Sequence, residues 1–285
     1  MTALKLKDLA TEENPMRISS VPTFMQCPGF HICRLAEIDE ARQAATNGTA
    51  VGRAVELWHK GDTPEAAVDR AIGESPLADQ GKVATWFEGY RLDPKNNGQD
   101  PVYGEVVPDL QEEEVRIDFD GCFFVGHIDQ VREKDGKLYL WDLKASSFGG
   151  SQLICSYAMQ LCMYTLACTK TFNREVAPGG IIRMTSYGPR SKVDVFYPAQ
   201  WTYEVCEQMA GETVQAIKDV RRGKIIKRPG SQCSYCPGGG IGSCQQVIDN
   251  LLTGRCPTCG EPAKKGRVTC CRPECISNIH KTLSF

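Results

Sequence analysis

The chain has 285 residues, of which 41% are hydrophobic and 24% are charged, and its formal net charge is −2. This composition is typical of folded globular proteins and excludes wholesale disorder. No apolar run approaches the roughly 18 residues that cross a bilayer, and the start, MTALKLKDLATEENP, lacks the apolar stretch of a signal peptide. We therefore expect a cytoplasmic protein that makes no membrane contact.

Charged residues and cysteines are both unevenly distributed. Residues 218–285 contain 12 Lys and Arg against 4 Asp and Glu, whereas the other 217 residues contain 21 against 31. A basic C-terminal quarter on an acidic body is expected when one end of a protein meets a polyanion. The chain also has 15 cysteines, many of them clustered near the C-terminus. Without an export signal these should be reduced thiols, and clustered thiols of this kind usually bind metal.

The hydrophobic pattern predicts helices first, then a mostly antiparallel group of strands, then a largely apolar helix, two more strands and an amphipathic helix. Asp120-Gly121 and Asp135-Gly136 are strong signals for two-residue hairpin turns between strands. This order favours an α/β or α+β domain followed by a metal-rich tail. The predicted elements are residues 34–60 (with a loop near Asn47-Gly48), 64–90, 115–119, 122–133, 137–145, 152–170, 179–187, 192–198 and 201–222.

The most informative segment is the hairpin predicted around Asp135-Gly136. A two-residue turn there places Asp129 directly opposite Asp142, and Lys144 projects from the same face because it lies two residues past Asp142. Two facing carboxylates repel unless something compensates, and Mg²⁺ with its preference for carboxylates, water and phosphate is the simplest compensation. A lysine beside them can orient or deprotonate water or stabilise phosphate charge. The alternative is a solvated Asp142–Lys144 pair with Asp129 in an exposed turn.

Asp129 followed by Asp142-Leu143-Lys144 resembles the PD-(D/E)xK nuclease superfamily, in its RecB-like exonuclease branch. Three further elements resemble that branch in order, over about residues 17–247. They are the early helical segment Gly52-Arg53-Ala54-Val55-Glu56, the Gln160-x-x-x-Tyr164 pair after the DLK strand, and the N-terminal Ile18-Ser19-Ser20 followed by Cys27-Pro28-Gly29-Phe30.

The resemblance implies a restriction-endonuclease-like core, with a mixed central sheet flanked by helices. It further implies that Glu56, Asp129, Asp142 and the Leu143 carbonyl hold Mg²⁺ or Mn²⁺ and that Lys144 positions or activates water. Glu56 stands where the branch usually has histidine, and His59 is a rival for this role. Gln160 and Tyr164 would help to position DNA.

Iron–sulfur members of the branch, which include the CRISPR-associated spacer-acquisition nuclease and AddB, join one early cysteine to three late ones. The resemblance therefore implies a [4Fe–4S] cluster held by Cys27, Cys233, Cys236 and Cys244. Four thiolates also suit zinc, and spacing does not decide between the two metals. Cys33 is a lower-ranked substitute ligand. The remaining cysteines fall in predicted strands and helices and are expected to be core thiols; they are Cys122, Cys155, Cys162, Cys168 and Cys206.

The tail contains a stronger metal signal. Cys256-Pro-Thr-Cys259-Gly has the spacing of a zinc knuckle, and Cys271 with Cys275 supplies a second pair, with Cys270 as the alternative to Cys271. So little apolar sequence cannot fold without metal. We expect residues 1–250 to form the nuclease domain and residues 251–285 to form a zinc ribbon that contacts phosphate or docks a recombination or repair protein.

Three functions remain open at this point. The first is a metal-dependent DNA nuclease, most simply an exonuclease acting on single-stranded or frayed DNA in recombination, repair or phage DNA processing. The second is a nucleic-acid-binding scaffold that keeps the fold without cleaving. The third is a metal-storage or redox protein, which the cysteines alone suggest but which leaves the hairpin unexplained.

Overall fold

The computed structural model describes residues 6–35, 43–97, 99, 103–145, 150–187, 190–196, 201–227, 248–250, 252–256 and 260–262. The described residues fall into two compact units. The first lies within Met1–Asp39, Asp118–Phe124 and Gly211–Phe285, and the second lies within Glu40–Ile117 and Val125–Ala210.

The described part of the chain contains seven α-helices and eight strands within residues 6–221, and residues 248–250 and 252 are also helical. The helices are α1 (Val21–Gln26), α2 (Pro28–Leu35), α3 (Gln43–His59), α4 (Pro64–Glu74), α5 (Gln80–Leu92), α6 (Gly150–Phe172) and α7 (Tyr203–Arg221). The strands are β1 (Met16–Arg17), β2 (Glu105–Val106), β3 (Glu114–Phe119), β4 (Cys122–His127), β5 (Gln130–Lys134), β6 (Lys137–Ala145), β7 (Val176–Tyr187) and β8 (Arg190–Phe196). Short 3₁₀ turns occupy Leu6–Asp8, Ile18–Ser20 and Pro108–Leu110.

The strands form a three-stranded sheet in the order β1-β4-β3 and a five-stranded sheet in the order β2-β5-β6-β7-β8. In the larger sheet β6 and β7 run parallel and the other neighbours run antiparallel. Helix α6 makes this parallel crossover, which needs a connection of a dozen or more residues. Helices on a mixed sheet are the α/β class that the sequence predicts.

Both predicted hairpin turns are confirmed. Asp120 and Gly121 have φ values of 52° and 74°, and Asp135 and Gly136 have φ values of 52° and 75°. Positive φ at both central residues is the type I′ geometry whose twist matches that of the flanking strands. In the second hairpin Lys134 pairs with Lys137, which is the predicted register.

The predicted strand over residues 122–133 is wrong in one respect, because it is two strands. β4 ends at His127, β5 begins at Gln130, and the two belong to different sheets. Asp129 lies in the break, where its Oδ2 accepts a 2.6 Å hydrogen bond from the Leu143 amide. Residues 128–129 contain no turn dipeptide of the Asp-Gly type, so the sequence gives no hairpin signal at this break.

The predicted loop near Asn47-Gly48 is also wrong, since α3 runs through both residues. Asn47 is buried, and its side-chain oxygen accepts a 2.7 Å hydrogen bond from the Asp79 amide. That tertiary contact overrides the turn preference of the dipeptide. The helical stretch predicted over residues 64–90 is divided into α4 and α5, and the Asp79 side chain caps α5 by accepting from Lys82 at 3.1 Å.

The core of the second unit lies between the sheet and helices α3, α4 and α5. Val55, Phe87 and Tyr90 pack with Trp141 and Ile182 from the facing sheet surface. Alternate strand residues face opposite sides, so Asp142 lies on the other surface, where α6 contacts the sheet. Burying each large apolar side chain stabilises the fold by about 1.5–3 kcal/mol.

A buried polar network joins α3, α5 and β5. Arg132 is 2% exposed, and its guanidinium donates to Gln130, to the Lys95 carbonyl, to Asn96 and to the Tyr90 hydroxyl at 2.6–3.3 Å. These four partners are neutral. The Tyr90 hydroxyl also lies 3.0 Å from Nε2 of His59 in α3. The network therefore fixes the end of α3 against α5 and the strand that follows Asp129.

In the first unit the last turns of α7 bind the turn of the first hairpin and an N-terminal segment. The Arg221 guanidinium donates to the carbonyls of Leu9 and Ala10 at 2.8 and 2.7 Å, and to that of Gly121 at 3.2 Å. Gly223 follows the helix with a φ of 85°, the left-handed conformation that ends helices. No described helix has the length and apolar character needed to cross a membrane.

Candidate active site

Asp129 and Asp142 are brought together as predicted and are called the acidic pair below. Asp142 is 4% exposed on β6, and the two side chains are in hydrogen-bonding contact. Burial raises the pKa of both carboxyls, and the positive charge of Lys144 partly opposes this rise. Repulsion from Asp129 raises the pKa of Asp142 further, to about 7. Negative charge is therefore concentrated where it is poorly solvated.

Lys144 supplies the counter-charge from the same strand. Its ammonium group donates to Asp142 Oδ1 at 2.7 Å, lies 3.4 Å from the Leu143 carbonyl, and sits 4.9 Å from the ring centre of Tyr157. Burial alone would lower the pKa of Lys144, but the charges of Asp142 and Asp129 outweigh it and raise the pKa above its ordinary value. Lys144 therefore stays protonated at neutral pH in this arrangement.

The acidic pair fits a hard divalent cation. Asp142 Oδ2 is buried and accepts no hydrogen bond, although the Lys144 ammonium lies 2.6 Å from it in an ion pair. A buried carboxylate oxygen of this kind, beside a second carboxylate, is chemically suited to Mg²⁺ or Mn²⁺, which take one or two carboxylates with water and phosphate. Among the described residues, however, no three His, Cys, Asp or Glu side chains are grouped so that they could hold a metal ion.

Glu56 is buried on α3 and is held by two cations. Arg53 donates to its Oε2 at 2.6 Å and Lys60 to its Oε1 at 2.8 Å. Burial would raise the pKa of Glu56, but these hydrogen bonds outweigh it and keep the pKa below its ordinary value. The positions three residues before and four after Glu56 are helical neighbours, so spacing could have identified both partners. Its rival His59 is directed to Tyr90 instead.

Glu112 is an acidic residue of the site that the sequence reading missed. It is half-buried before β3 and has a φ of 54°, which is strained for a residue with a side chain. Burial and the negative charge of Glu56 raise the pKa of Glu112 to about 7. The negative charge of Glu112 in turn raises the pKa of Asp129. Glu112 thus links Glu56 electrostatically to the acidic pair.

Gln160 and Tyr164 of α6 both lie at the acidic pair. The Gln160 amide donates to Asp142 Oδ1 at 2.9 Å. Tyr164 is 5% exposed, and burial followed by the charges of Asp129 and Asp142 raises the pKa of its hydroxyl. Tyr164 packs so closely on β4 that a Cβ added at Gly126 would lie 2.7 Å from its ring. The predicted i, i+4 pair therefore faces the site.

The predicted cysteine sites are described only in part. Cys27 is buried between α1 and α2, where its sulfur accepts a 3.4 Å hydrogen bond from the Phe30 amide. Cys256 is buried, and Gly260 has a φ of 74° and donates its amide to the Cys256 carbonyl, which suits a knuckle turn. The other predicted ligands lie outside the described residues; they are Cys233, Cys236, Cys244, Cys259, Cys270, Cys271 and Cys275, and the side chain of Cys33 is likewise not described.

Two solved structures are similar to this chain. The crystal structure of a protein named "Putative exonuclease" from Eubacterium rectale has a TM-score of 0.50, covers 81% of this chain and 87% of that chain, and is 14% identical. A crystal structure of a protein named SSO0001 is 17% identical over 76% of this chain and 92% of that chain, with a TM-score of 0.31. None of the curated proteins matches the chain.

The first of these likenesses shows a shared fold, which is the restriction-endonuclease-like core expected from the sequence. The family model described as the PD-(D/E)XK nuclease superfamily matches residues 17–241, a range that contains both aspartates, Lys144 and the Gln160–Tyr164 pair. The family model covers most of the chain, and the range it matches contains the side chains that meet at the site. The chain belongs to the PD-(D/E)XK nuclease superfamily.

Proposed function

We propose that the protein is a Mg²⁺- or Mn²⁺-dependent deoxyribonuclease that hydrolyses phosphodiester bonds, acting as an exonuclease on single-stranded or frayed DNA. The observation that carries this proposal is the buried contact between Asp129 and Asp142 with Lys144 beside them. The family and the name of the Eubacterium rectale protein support it. Recombination, repair or phage DNA processing would use such an activity.

Asp129, Asp142 and the Leu143 carbonyl would hold the ion, with Glu56 completing the set after its release from Arg53 and Lys60. A bound divalent ion would act as a Lewis acid on the phosphate and lower the pKa of water. Asp142 Oδ1 accepts hydrogen bonds from Lys144 and Gln160, and Asp142 Oδ2 lies 2.6 Å from the Lys144 ammonium. Gln160 would thus hold the carboxylate in place while an ion takes the position of the ammonium at Oδ2.

Lys144 would stabilise charge on the phosphate and orient water. A protonated amine is an electrostatic stabiliser and a proton donor, so the raised pKa of Lys144 favours these roles over removal of a proton from water. Gln160 fixes Asp142, and Tyr164 limits the space beside Gly126. These two residues would position the strand relative to the acidic pair.

The test is an Asp142→Asn variant digested against end-labelled single-stranded and double-stranded DNA with Mg²⁺. Loss of one carboxylate at the ion removes several kcal/mol of transition-state stabilisation, so we expect cleavage to fall about 10³-fold or more while DNA binding persists. Asp69→Asn, an exposed change on α4, is the matched control. Cleavage by Asp142→Asn at the rate of the control would refute the assignment.

A non-cleaving scaffold is the second candidate, and one observation favours it. Glu56 is already neutralised by Arg53 and Lys60, which is the arrangement expected if no cation is to be bound there. In a scaffold the acidic pair would be a structural remnant. Absence of Mg²⁺- and Mn²⁺-dependent digestion in the wild-type protein, together with retained DNA binding, would establish this alternative.

We further propose that the basic C-terminal quarter guides DNA to the site, because its Lys and Arg residues can contact phosphates. Cys27 with Cys233, Cys236 and Cys244 would hold a [4Fe–4S] cluster or zinc. Cys256, Cys259, Cys271 and Cys275 would hold zinc in a ribbon formed by residues 251–285. That ribbon is also the proposed contact for a recombination or repair protein.

A further inference from the structure

A second group of metal-ligating side chains lies outside the acidic site, where α6 and α7 meet in the second unit. Cys162 and Cys206 are both fully buried. The Cys162 sulfur lies 3.4 Å from the sulfur of Met209, and its thiol is also in hydrogen-bonding contact with that of Cys206. Cys206 and Met209 are three residues apart on α7, so they share one face of the helix. Three sulfur atoms from two helices thus converge.

These three donors form a soft ligand set. Thiolate and thioether sulfur select Cu(I), whereas Mg²⁺ and Ca²⁺ take oxygen ligands and zinc sites are built from thiolate, imidazole and carboxylate. Coordination would release the thiol protons to solvent.

The distance between the sulfur atoms and the partial exposure of Met209 are both compatible with a bound ion. Three sulfurs bound about 2.3 Å from one metal lie roughly 4 Å apart, so the contact between Cys162 and Met209 needs to widen by only about half an ångström. Met209 is half-buried, which gives an ion a route past a flexible thioether to the two buried thiols.

We propose that Cys162, Cys206 and Met209 form a binding site for a soft monovalent cation, Cu(I). The site is separate from the acidic pair, because the Gln160 side chain contacts Asp142, whereas the Cys162 side chain, two residues later on α6, contacts Met209 of α7. A bound ion would join α6 to α7 from the side of α6 opposite the aspartates.

The test is anaerobic titration of the full-length protein, with the metals it carries when purified, using a copper(I) acetonitrile complex against the chelator bathocuproine disulfonate. The variants are Cys162→Ser, Cys206→Ser and Met209→Leu. Cys168→Ser is the matched control, since Cys168 is equally buried on α6. Cysteines elsewhere in the chain contribute equally to all variants, so differences report this site.

We expect the wild type and Cys168→Ser to bind one copper more than Cys162→Ser or Cys206→Ser. Met209→Leu, which keeps the side-chain volume, should bind that copper about tenfold more weakly or worse. Equal copper content and affinity in all of the variants would overturn the proposal. If a cysteine variant fails to fold by circular dichroism, Met209→Leu decides alone: weaker binding supports the site, and unchanged affinity overturns it.

Discussion

At the scale of single residues, the raised pKa of Asp142 makes ion binding depend on pH. Below pH 7 Asp142 holds a proton that a divalent ion must displace, and above pH 7 the Asp142 carboxylate is ionised, while burial also raises the pKa of Asp129. We expect Mg²⁺ binding to release about one proton more at pH 6 than at pH 8.5. Calorimetry in two buffers of different ionisation enthalpy measures this number, and a release that does not change with pH would contradict the assignment.

Gly126 is predicted to be essential for the position of Tyr164. A methyl group at Gly126 would lie 2.7 Å from the Tyr164 ring, which is buried and has little room to move. We expect Gly126→Ala to lower the free energy of unfolding by about 1–3 kcal/mol and to reduce cleavage of DNA. Denaturant unfolding and the digestion assay measure the two effects.

The control for that change is Gly48→Ala in α3, where an added Cβ meets nothing within 4 Å. Alanine is favoured over glycine inside a helix, so this variant should gain about 0.5–1 kcal/mol. Stability of Gly126→Ala equal to that of the control would show that Tyr164 is free to move.

Residue-scale prediction from sequence succeeded where local chemistry decides the geometry. Asp135-Gly136 selects one turn type, the turn selects the register, and the register brings Asp129 to Asp142. Glu112 was not predictable in this way, because it is one of three consecutive glutamates. Only the left-handed backbone at Glu112, which tertiary structure imposes, distinguishes it from its neighbours.

At the scale of secondary-structure elements, His59 makes the docking of α3 on α5 sensitive to acid. Burial and then the charge of Arg132 lower the pKa of His59 from 6.5 to about 4. The folded state therefore binds fewer protons than the unfolded state between these values, so stability is complete above pH 6.5 and is lost as pH falls toward 4.

We expect the wild type to lose about 2 kcal/mol more than His59→Gln in the free energy of unfolding between pH 7 and pH 4.5. Carboxylates also titrate in this range, and comparison with the variant removes their shared contribution. Urea unfolding at the two pH values measures the difference. Parallel pH curves for the two proteins would mean that the pKa of His59 is the same in the folded and unfolded states.

Element types were predictable from the sequence, and their interruptions were not. Alternation of apolar residues identified the strands, but no turn dipeptide marks residues 128–129, where the chain leaves one sheet for the other. The continuity of α3 through Asn47 depends on an amide of Asp79, 32 positions away. Contacts this distant in sequence leave no periodic signal.

At the scale of the whole molecule, substitution of Cys27 tests whether the two proposed cysteine-bound metal centres are separate. We expect Cys27→Ala to lose the metal of one centre and to keep the zinc of the tail, because only the first centre would use an N-terminal ligand. Metal analysis and visible absorption of anaerobically purified protein measure this, with brown colour assigning an iron–sulfur cluster and colourless protein with about two zinc ions assigning zinc.

Cys122→Ala is the control, since Cys122 is a buried cysteine of β4 that no proposed centre uses. It should retain the full metal content. Equal metal content in the two variants would remove Cys27 from the ligand set.

The hairpin of β5 and β6 has a consequence for how the site is assembled during folding. Asp129 and Asp142 are only thirteen positions apart, so bringing them together closes a short loop at small entropic cost. Lys144 belongs to the same hairpin, so the counter-charge arrives with the repelling acids. Glu56, which we propose completes the metal site, lies more than seventy positions away in sequence, and a non-local approach of this kind forms slowly. A nascent chain can therefore acquire the neutralised aspartates well before the helix that carries Glu56 docks.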